Sequence, residues 1–291
     1  GGYAAAFAAS DLGLAVTLID IEPNPGGVCL YRGCIPSKAL LHIAKVLNEA
    51  KEAERWGIHF EQPSIELAKL RASKDAIVAK MTGGLGQLCK ARKIKFIQGR
   101  ASFEDSTTIK ITGDDGKEQS ITTDYTILAA GSRPATLPDL FIESDRILNS
   151  TSALQLQDIP KSLLVVGGGY IGLELGSVYA ALRSTVTVVE MTGGLLPGAD
   201  EDLVTVLTQR LEKVFHKIHV DTKVMGMTEK KDGITVTLQS SDGKERKETF
   251  DKVLVSIGRK PNSSGLGLNN TQAHVNARGF VEIDAQRRTA D

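Results

Sequence analysis

Cysteine is scarce in this sequence, with three residues among 291. A secreted domain held together by disulfide bonds would need many more, so the sequence excludes that class of protein. Two of the three, Cys29 and Cys34, lie close together, which is typical of catalytic sulfur in a reducing compartment, the cytoplasm or an organelle matrix. Because the chain begins at Gly1 rather than Met, the absence of a targeting segment carries no weight.

The sequence also lacks an excess of either charge and a long apolar run. Lys plus Arg and Asp plus Glu both number 35, so nothing predicts general attraction to nucleic acid or to an anionic membrane. The longest nearly uncharged stretch, 162–173, is too short to span a bilayer. With 41% hydrophobic residues over 291 positions, the chain can bury two cores, and we expect two domains.

An internal repeat organises the chain. Each copy contains a glycine turn, a helix pattern and an apolar strand that ends in an acidic residue. Gly2 precedes Asp20 by 18 residues in the first copy, and Gly172 precedes Glu190 by the same interval in the second. The repeat predicts an α/β fold with two tandem nucleotide-binding modules.

Short strand-like segments follow in each copy, at 107–122 and 233–250, around polar Gly-Asp turns. Each copy then closes on an apolar strand, within 126–134 in the first and within 253–261 in the second. The first module is longer, and much of the excess lies between residues 26 and 74, where both close cysteines are found. We therefore expect the distinguishing chemistry in that insertion.

The second glycine turn gives the clearest signal for a dinucleotide. Gly167 permits a tight turn, Gly169 lets the backbone approach a pyrophosphate, and Gly172 allows close packing of helix on strand. The helix that begins at Tyr170 and Ile171 supplies amide donors and the positive end of its dipole. An ordinary strand-to-helix turn is the alternative interpretation, but it leaves the acid 18 residues further on unexplained.

The acid after each module's second strand indicates how a ribose would be bound. Glu190 ends its strand where a carboxylate can accept hydrogen bonds from both ribose hydroxyls. Met191 and Thr192 bring no guanidinium for a 2′-phosphate, so we expect NAD rather than NADP. Asp20 would bind the adenosine ribose of the first nucleotide in the same way.

The spacing of Cys29 and Cys34 bears on how the chain folds between them. On a regular helix, positions five apart point about 140° away from each other, so the two sulfurs could bridge only across a distortion. We expect Gly33 and Pro36 to supply that distortion, ahead of a helix pattern over 39–55.

The charges around the pair favour a redox function. The start of a helix, together with Arg32 and Lys38, stabilises a thiolate. A zinc site and two inert core cysteines are the competing interpretations, but zinc would have to recruit Cys89 or His42 without a recognisable ligand spacing. We interpret Cys89 as a core residue, and we expect no metal site.

The block 26–38, with Gly27 and both cysteines, is similar to the active-site disulfide segment of the pyridine nucleotide-disulfide oxidoreductases, and the resemblance covers nearly all 291 residues. It implies that Cys29 exchanges with substrate and that Cys34 lies against the flavin. It also implies that Lys38 and Glu174 form an ion pair beside the reactive flavin nitrogen, whereas a plain interdomain salt bridge is the alternative. Asn and a small apolar residue are usual in the family where this chain has Tyr31 and Arg32.

The motifs also resemble the family's cofactor sites. The turns at 131–134 and 258–261 are similar to those that close the FAD and NAD modules, and Tyr170 matches a residue that covers the nicotinamide pocket in some members. A glycine is expected in the family where Arg183 stands. The resulting candidate contacts to FAD and NAD are Gly2, Asp20, Gly27, Lys38, Gly131, Ser132, Gly167, Gly169, Tyr170, Ile171, Gly172, Glu190, Gly258 and Arg259.

Within the family, the stretch 167–190 together with 195–200 looks closest to the dihydrolipoyl dehydrogenases. The resemblance implies oxidation of protein-bound dihydrolipoamide through the cysteine pair and FAD, with reduction of NAD. The implied partner is a lipoyl-bearing carrier protein or acyltransferase of a 2-oxoacid dehydrogenase complex. Two alternatives stay open: another disulfide reductase of the glutathione or mercuric type, and a non-catalytic NAD-binding module.

The implied architecture is two tandem Rossmann-like FAD/NAD(P)-binding domains, each a three-layer ββα arrangement of two sheets and one layer of helices. We predict an FAD-binding domain over 1–148, an NAD-binding domain over 149–268, and a segment at 269–291 that returns to the FAD domain. In the family, a C-terminal dimerisation domain supplies a His–Glu base across a homodimer interface. That domain is absent from this sequence, so we expect the 291 residues alone to be catalytically incomplete.

Overall fold

A computed structural model of the chain describes residues 1–136 and 142–291. Its α-helices are α1 (Gly2–Asp11), α2 (Gly27–Arg32), α3 (Cys34–Glu52), α4 (Leu67–Ala91), α5 (Ser150–Gln155), α6 (Tyr170–Ala181) and α7 (Glu201–Leu211). Its β-strands are β1 (Thr17–Asp20), β2 (Lys95–Gln98), β3 (Arg100–Phe103), β4 (Thr108–Thr112), β5 (Glu118–Thr122), β6 (Ser132–Pro134), β7 (Ile147–Leu148), β8 (Ser162–Val166), β9 (Thr185–Val189), β10 (Lys217–His219), β11 (Thr222–Lys230), β12 (Gly233–Ser240), β13 (Glu245–Phe250), β14 (Lys252–Val255) and β15 (Arg259–Pro261). The fold is α/β, as the repeat predicts.

The described residues group into two compact units. Unit 1 comprises Gly1–Tyr31, Val78–Arg133 and Arg259–Asp291, and unit 2 comprises Arg32–Ile77 and Pro134–Gly258. The division predicted from sequence, at residues 148 and 268, concerns which cofactor each part holds, and it stays a prediction.

Unit 2 is built on a parallel sheet with the strand order β10-β9-β8-β14-β7. The central strand β8 is a nearly continuous apolar run because a parallel strand is buried on both faces. Leu163 and Val165 face a core shared with α3, α5, α6 and α7, whereas Leu164 and Val166 face a second core shared with the antiparallel sheet β11-β12-β13. Unit 2 therefore has three layers: helices, parallel sheet and antiparallel sheet.

Unit 1 repeats parts of this arrangement. Strand β1 pairs in parallel with β2, and β3-β4-β5 form an antiparallel sheet. One buried cluster of this unit contains Ala6, Cys89 and Ile94. The side chain of Cys89 is 2% exposed, which confirms that it is a core residue.

The predicted closing strand of the first module is wrong over most of its length. Residues 126–131 have no strand structure, and only Ser132–Pro134 form a short strand, β6. In unit 2 the equivalent strand β14 pairs with β8, the strand before the glycine turn. An apolar run forms a strand only where a neighbouring strand pairs with it; the segment 126–131 pairs with no strand in the described sheets, and Ile127 is 68% exposed.

The turn between α6 and β9 has a strained residue where the family expects glycine. Arg183 has a φ of +82°, in the left-handed region. For a residue other than glycine that conformation costs roughly 1–2 kcal/mol. The guanidinium Nη2 of Arg183 donates to the carbonyl of Pro63 at 2.7 Å, and this hydrogen bond offsets part of the strain.

We expect Arg183→Gly to be more stable than Arg183→Ala by about 1 kcal/mol, because both variants lose the hydrogen bond but only glycine relieves the backbone. Urea unfolding of the two variants measures the difference. The control is the same pair of substitutions, to glycine and to alanine, at Lys45 on the exposed face of α3. There the order should reverse, with glycine less stable than alanine by about 1 kcal/mol. The same order at both positions would contradict the strained turn.

Candidate functional site

The cysteine segment folds as two helices. Cys29 lies in α2, and Cys34 is the first residue of α3; both side chains are exposed. Gly33 breaks the helix between them with φ −146° and ψ −112°, as the sequence predicts. Pro36 does not contribute to the break, since it lies in the first turn of α3, where proline is tolerated because the amide it lacks has no helical partner.

The first turns of α3 bring a cation to a carboxylate of α6. The Lys38 ammonium lies 2.5 Å from Oε1 of Glu174, and the Ser37 hydroxyl donates to Oε2 of the same carboxylate at 2.6 Å. The two helices meet because Leu40 of α3 and Leu173 of α6 belong to one buried cluster. The predicted partners, Lys38 and Glu174, are therefore in contact, and what the pair does stays a prediction.

Stability alone does not explain this ion pair. The side chains of Lys38 and Glu174 are 62% and 30% exposed, and ion pairs this accessible contribute only about 0–1 kcal/mol. Lys38 stands four positions after Cys34, so both project from the same side of α3. Cys34 is the first residue of that helix, at the positive end of its dipole, and Lys38 lies one turn further on.

The second glycine turn is shaped by close contacts that leave no room for a side chain at Gly167 and Gly172. Gly167 has a φ of +107°, and an added Cβ there would lie 2.6 Å from the carbonyl oxygen of Ser256. At Gly172 an added Cβ would lie 2.5 Å from Oγ of Ser256 and would also strike the carbonyl of Gly167. Gly169 is different, because a Cβ there would meet nothing within 4 Å.

The start of α6 is open for an anion to approach. Gly169 is the N-cap of α6, and Tyr170, the first helical residue, is 65% exposed. Ile171 is partly buried against the helical core. The first amides of a helix have no partner within it, so the turn presents donors toward the open side of Gly169.

Glu190 closes the glycine turn from the end of β9. It is 6% exposed; its Oε2 accepts from the amide of Gly168 at 2.7 Å, and its Oε1 accepts from the amide and the hydroxyl of Thr192, both at 2.9 Å. A carboxylate has about four acceptor positions, so capacity for a ribose hydroxyl is left. The sequence predicted the ribose role but not the contact with the turn.

The candidate residues of the first module lie at the start of a helix or at the end of a strand, as Gly172 and Glu190 do in the second module. Gly2 begins α1 after the N-cap Gly1, and an added Cβ there would make an ordinary 3.5 Å contact with Ala129. Asp20 ends β1, and its Oδ1 accepts from the amide of Glu22 at 3.0 Å. Gly27 begins α2 with a φ of +60°.

The two predicted closing turns contain glycines with left-handed backbone, Gly131 at φ +73° and Gly258 at φ +118°. The guanidinium of Arg259 hydrogen-bonds to Ser132, from Nε to Oγ at 2.8 Å and from Nη2 to the carbonyl at 2.5 Å. The residues that follow the two glycines are therefore tied to each other.

Tyr31, one of the departures from the family pattern, packs inside unit 1. Its hydroxyl donates to the carbonyl of Asn24 at 2.9 Å, and burial raises the pKa of this hydroxyl, so the side chain stays neutral at physiological pH. The substitution therefore adds no charge to the cysteine segment.

Sequence reasoning missed two polar contacts of the site, those of Ser37 and Thr192. Both depend on side-chain direction, which leaves no signal in spacing or composition. Within residues 1–136 and 142–291, no group of three or more His, Cys, Asp and Glu side chains could hold a metal ion. In the same ranges, no helix combines the length and the apolarity that crossing a membrane requires.

Comparisons of the sequence with a family model and with known proteins point to the same family. A model of the pyridine nucleotide-disulphide oxidoreductases matches residues 1–291. Dihydrolipoyl dehydrogenase of Haemophilus influenzae is 48% identical over 288 residues, which are 99% of this chain and 60% of that protein. The enzyme of the same name from Geobacillus stearothermophilus is 41% identical, over 100% of this chain and 61% of its own length. The chain thus spans about 60% of the relatives that it matches.

Solved structures agree on the fold. LpdA from Mycobacterium tuberculosis superposes with a TM-score of 0.87 at 27% identity, over 99% of this chain and 62% of that one. The flavoprotein disulfide reductase RclA from Escherichia coli gives a TM-score of 0.83 at 24% identity, over 99% of this chain and 61% of that one, and shows the fold alone.

We expect Gly172→Ala to lower the free energy of unfolding of unit 2 by about 1–3 kcal/mol, because its Cβ has no room between α6 and the turn. Gly169→Ala should cost about 1 kcal/mol or less, through the weaker N-cap alone. Denaturant titration followed by circular dichroism compares them. Equal losses in the two variants would show that the turn is not packed as described.

Proposed function

Because the chain belongs to the pyridine nucleotide-disulphide oxidoreductase family, we propose that it carries the FAD- and NAD-binding part of a dihydrolipoyl dehydrogenase. The observation that supports this best is the Lys38–Glu174 ion pair, which forms where α3, the helix that begins at Cys34, meets the helix of the glycine turn. A binding module without chemistry would have no use for a cysteine and a fixed cation on one face of α3.

The chain's residues fit the two cofactors. The open space at Gly169 and the amides at the start of α6 suit a pyrophosphate, and Glu190 suits an unmodified ribose. The buried carboxylate of Glu190 would repel a 2′-phosphate, which favours NAD over NADP. For FAD, we propose that Gly2 and Asp20 hold the adenosine end and that Lys38 lies beside the flavin ring.

The cysteines would perform the thiol chemistry. A substrate thiolate attacks the sulfur of Cys29 in a Cys29–Cys34 disulfide, forms a mixed disulfide and releases Cys34 as a thiolate. The second substrate thiol then attacks the substrate's own sulfur, which closes the substrate disulfide and releases Cys29. The cysteine pair gains two electrons; FAD and NAD, when bound, supply the onward electron and hydride transfer.

Within this scheme the role of Lys38 is electrostatic. Its ammonium and the helix dipole stabilise the Cys34 thiolate once the disulfide opens, and Glu174 holds the ammonium in place.

The whole protein would act on dihydrolipoyl groups of a carrier protein or acyltransferase in a 2-oxoacid dehydrogenase complex. We propose a homodimer whose partner subunit supplies the His–Glu base, since no histidine of this chain lies in the family's base motif. The cytoplasm of a bacterium, or an organelle matrix, is the proposed location. A glutathione or mercuric substrate is the competing outcome of the tests.

We expect Cys29→Ser and Cys34→Ser to lower turnover of dihydrolipoamide by more than 100-fold in the protein expressed from the complete gene. Cys89→Ala, in the core, is the matched control and should retain turnover at a modest loss of stability. Dihydrolipoamide should also produce a long-wavelength charge-transfer band in the wild-type visible spectrum, and Cys34→Ser should abolish it. A flavin spectrum that dihydrolipoamide leaves unchanged would keep the family but exclude this substrate.

We expect Gly169→Ala to weaken NADH binding at least tenfold, because its Cβ fills the space that the pyrophosphate would occupy. Quenching of NADH fluorescence measures affinity, and the thermal midpoint of the same sample reports whether the fold is kept. NADPH should bind the wild-type chain more weakly than NADH. Unchanged NADH affinity in Gly169→Ala would remove the second glycine turn from the proposed site.

A further inference from the structure

The Ser37 hydroxyl has no part in the function proposed above, although it contacts the same carboxylate as Lys38. A serine inside a helix ordinarily donates to the carbonyl three or four residues earlier. Ser177 in α6 does so, with its hydroxyl 2.7 Å from the carbonyl of Leu173. Ser37 instead reaches from α3 to Oε2 of Glu174 in α6, at 2.6 Å.

The two donors to Glu174 differ in how firmly they are held. Ser37 is 6% exposed, and a single rotatable bond of its short side chain sets the position of the hydroxyl oxygen. The Lys38 side chain is 62% exposed and has four rotatable bonds, so ordering it costs much more conformational entropy. The fixed hydroxyl is therefore the better anchor for the carboxylate.

We propose that Ser37 is a positioning residue for the Lys38–Glu174 ion pair. Its hydroxyl holds one oxygen of the Glu174 carboxylate and so directs the other oxygen at the Lys38 ammonium. Without the hydroxyl, the carboxylate can rotate about its Cγ–Cδ bond, and the Lys38 ammonium loses its fixed partner. The functional consequence rests on the proposed function, whereas the positioning itself does not.

The first test needs no cofactor. In the otherwise unchanged chain, Lys38→Met and Glu174→Gln should shift the thermal midpoint non-additively when combined, because each removes the same pair. In the Ser37→Ala background this coupling should fall at least twofold. Ser184→Ala is the matched control: that serine is also 6% exposed and its hydroxyl bonds at 2.6 Å, but to the carbonyl of Pro160. It should leave the coupling unchanged.

The second test uses the flavin-loaded protein from the complete gene. Ser37→Ala should reduce the charge-transfer absorbance per flavin at least twofold and change its pH profile. Ser37→Thr, which keeps the hydroxyl, should restore both, and Ser184→Ala should alter neither.

The two tests separate the two proposals. An undiminished Lys38–Glu174 coupling in Ser37→Ala would overturn the positioning role, even if turnover of dihydrolipoamide is confirmed. A coupling that falls in Ser37→Ala while the wild-type protein shows no flavin absorbance would support the positioning role and overturn the proposed function.

Discussion

The close approach of α6 to the central strand β8, at Gly172, is the contact on which both parts of the candidate site depend. Gly172 faces the strand and the carbonyl of Gly167, so it fixes the glycine turn that leads into the helix. Glu174 follows two positions later, about 200° around the helix axis, and therefore faces α3. A displacement of α6 would move the turn and the carboxylate together, which joins the dinucleotide end of unit 2 to its cysteine-bearing helix.

The two modules show what a central strand contributes. In unit 2, β8 lies between β9 and β14 and supplies side chains to two cores, one on each face of the sheet. In the described part of unit 1, β1 pairs with β2 in a two-stranded sheet, and the segment 126–131 pairs with no strand. The repeated sequence is therefore not sufficient to form the closing strand, because a strand is stabilised by its neighbours rather than by its own apolar residues.

The features that could be predicted from sequence were those that repeat or that depend on one residue's backbone. The two modules, the acids at the ends of β1 and β9, and the helix break at Gly33 are of this kind. The pairing of Lys38 with Glu174 came from resemblance, since 136 residues separate them and no local pattern links them. The contacts of Ser37 and Arg183 could not be predicted, because they depend on how helices and loops distant in sequence are packed.

The uneven cores of the two units have a consequence for how the chain opens. Among the residues that the structure describes, unit 2 has two extended buried clusters, on either face of its parallel sheet, whereas the cluster around Cys89 in unit 1 joins it to Ala6 and Ile94, with Phe7, Val16 and Leu18 partly buried against them. Local opening is least costly where few apolar contacts are lost, so backbone amides of unit 1 should exchange with solvent deuterium faster than those of β8 and β14. A ligand that binds only the closed form of unit 1 would then slow that exchange in proportion to its own occupancy, and the amides themselves would report where it is bound.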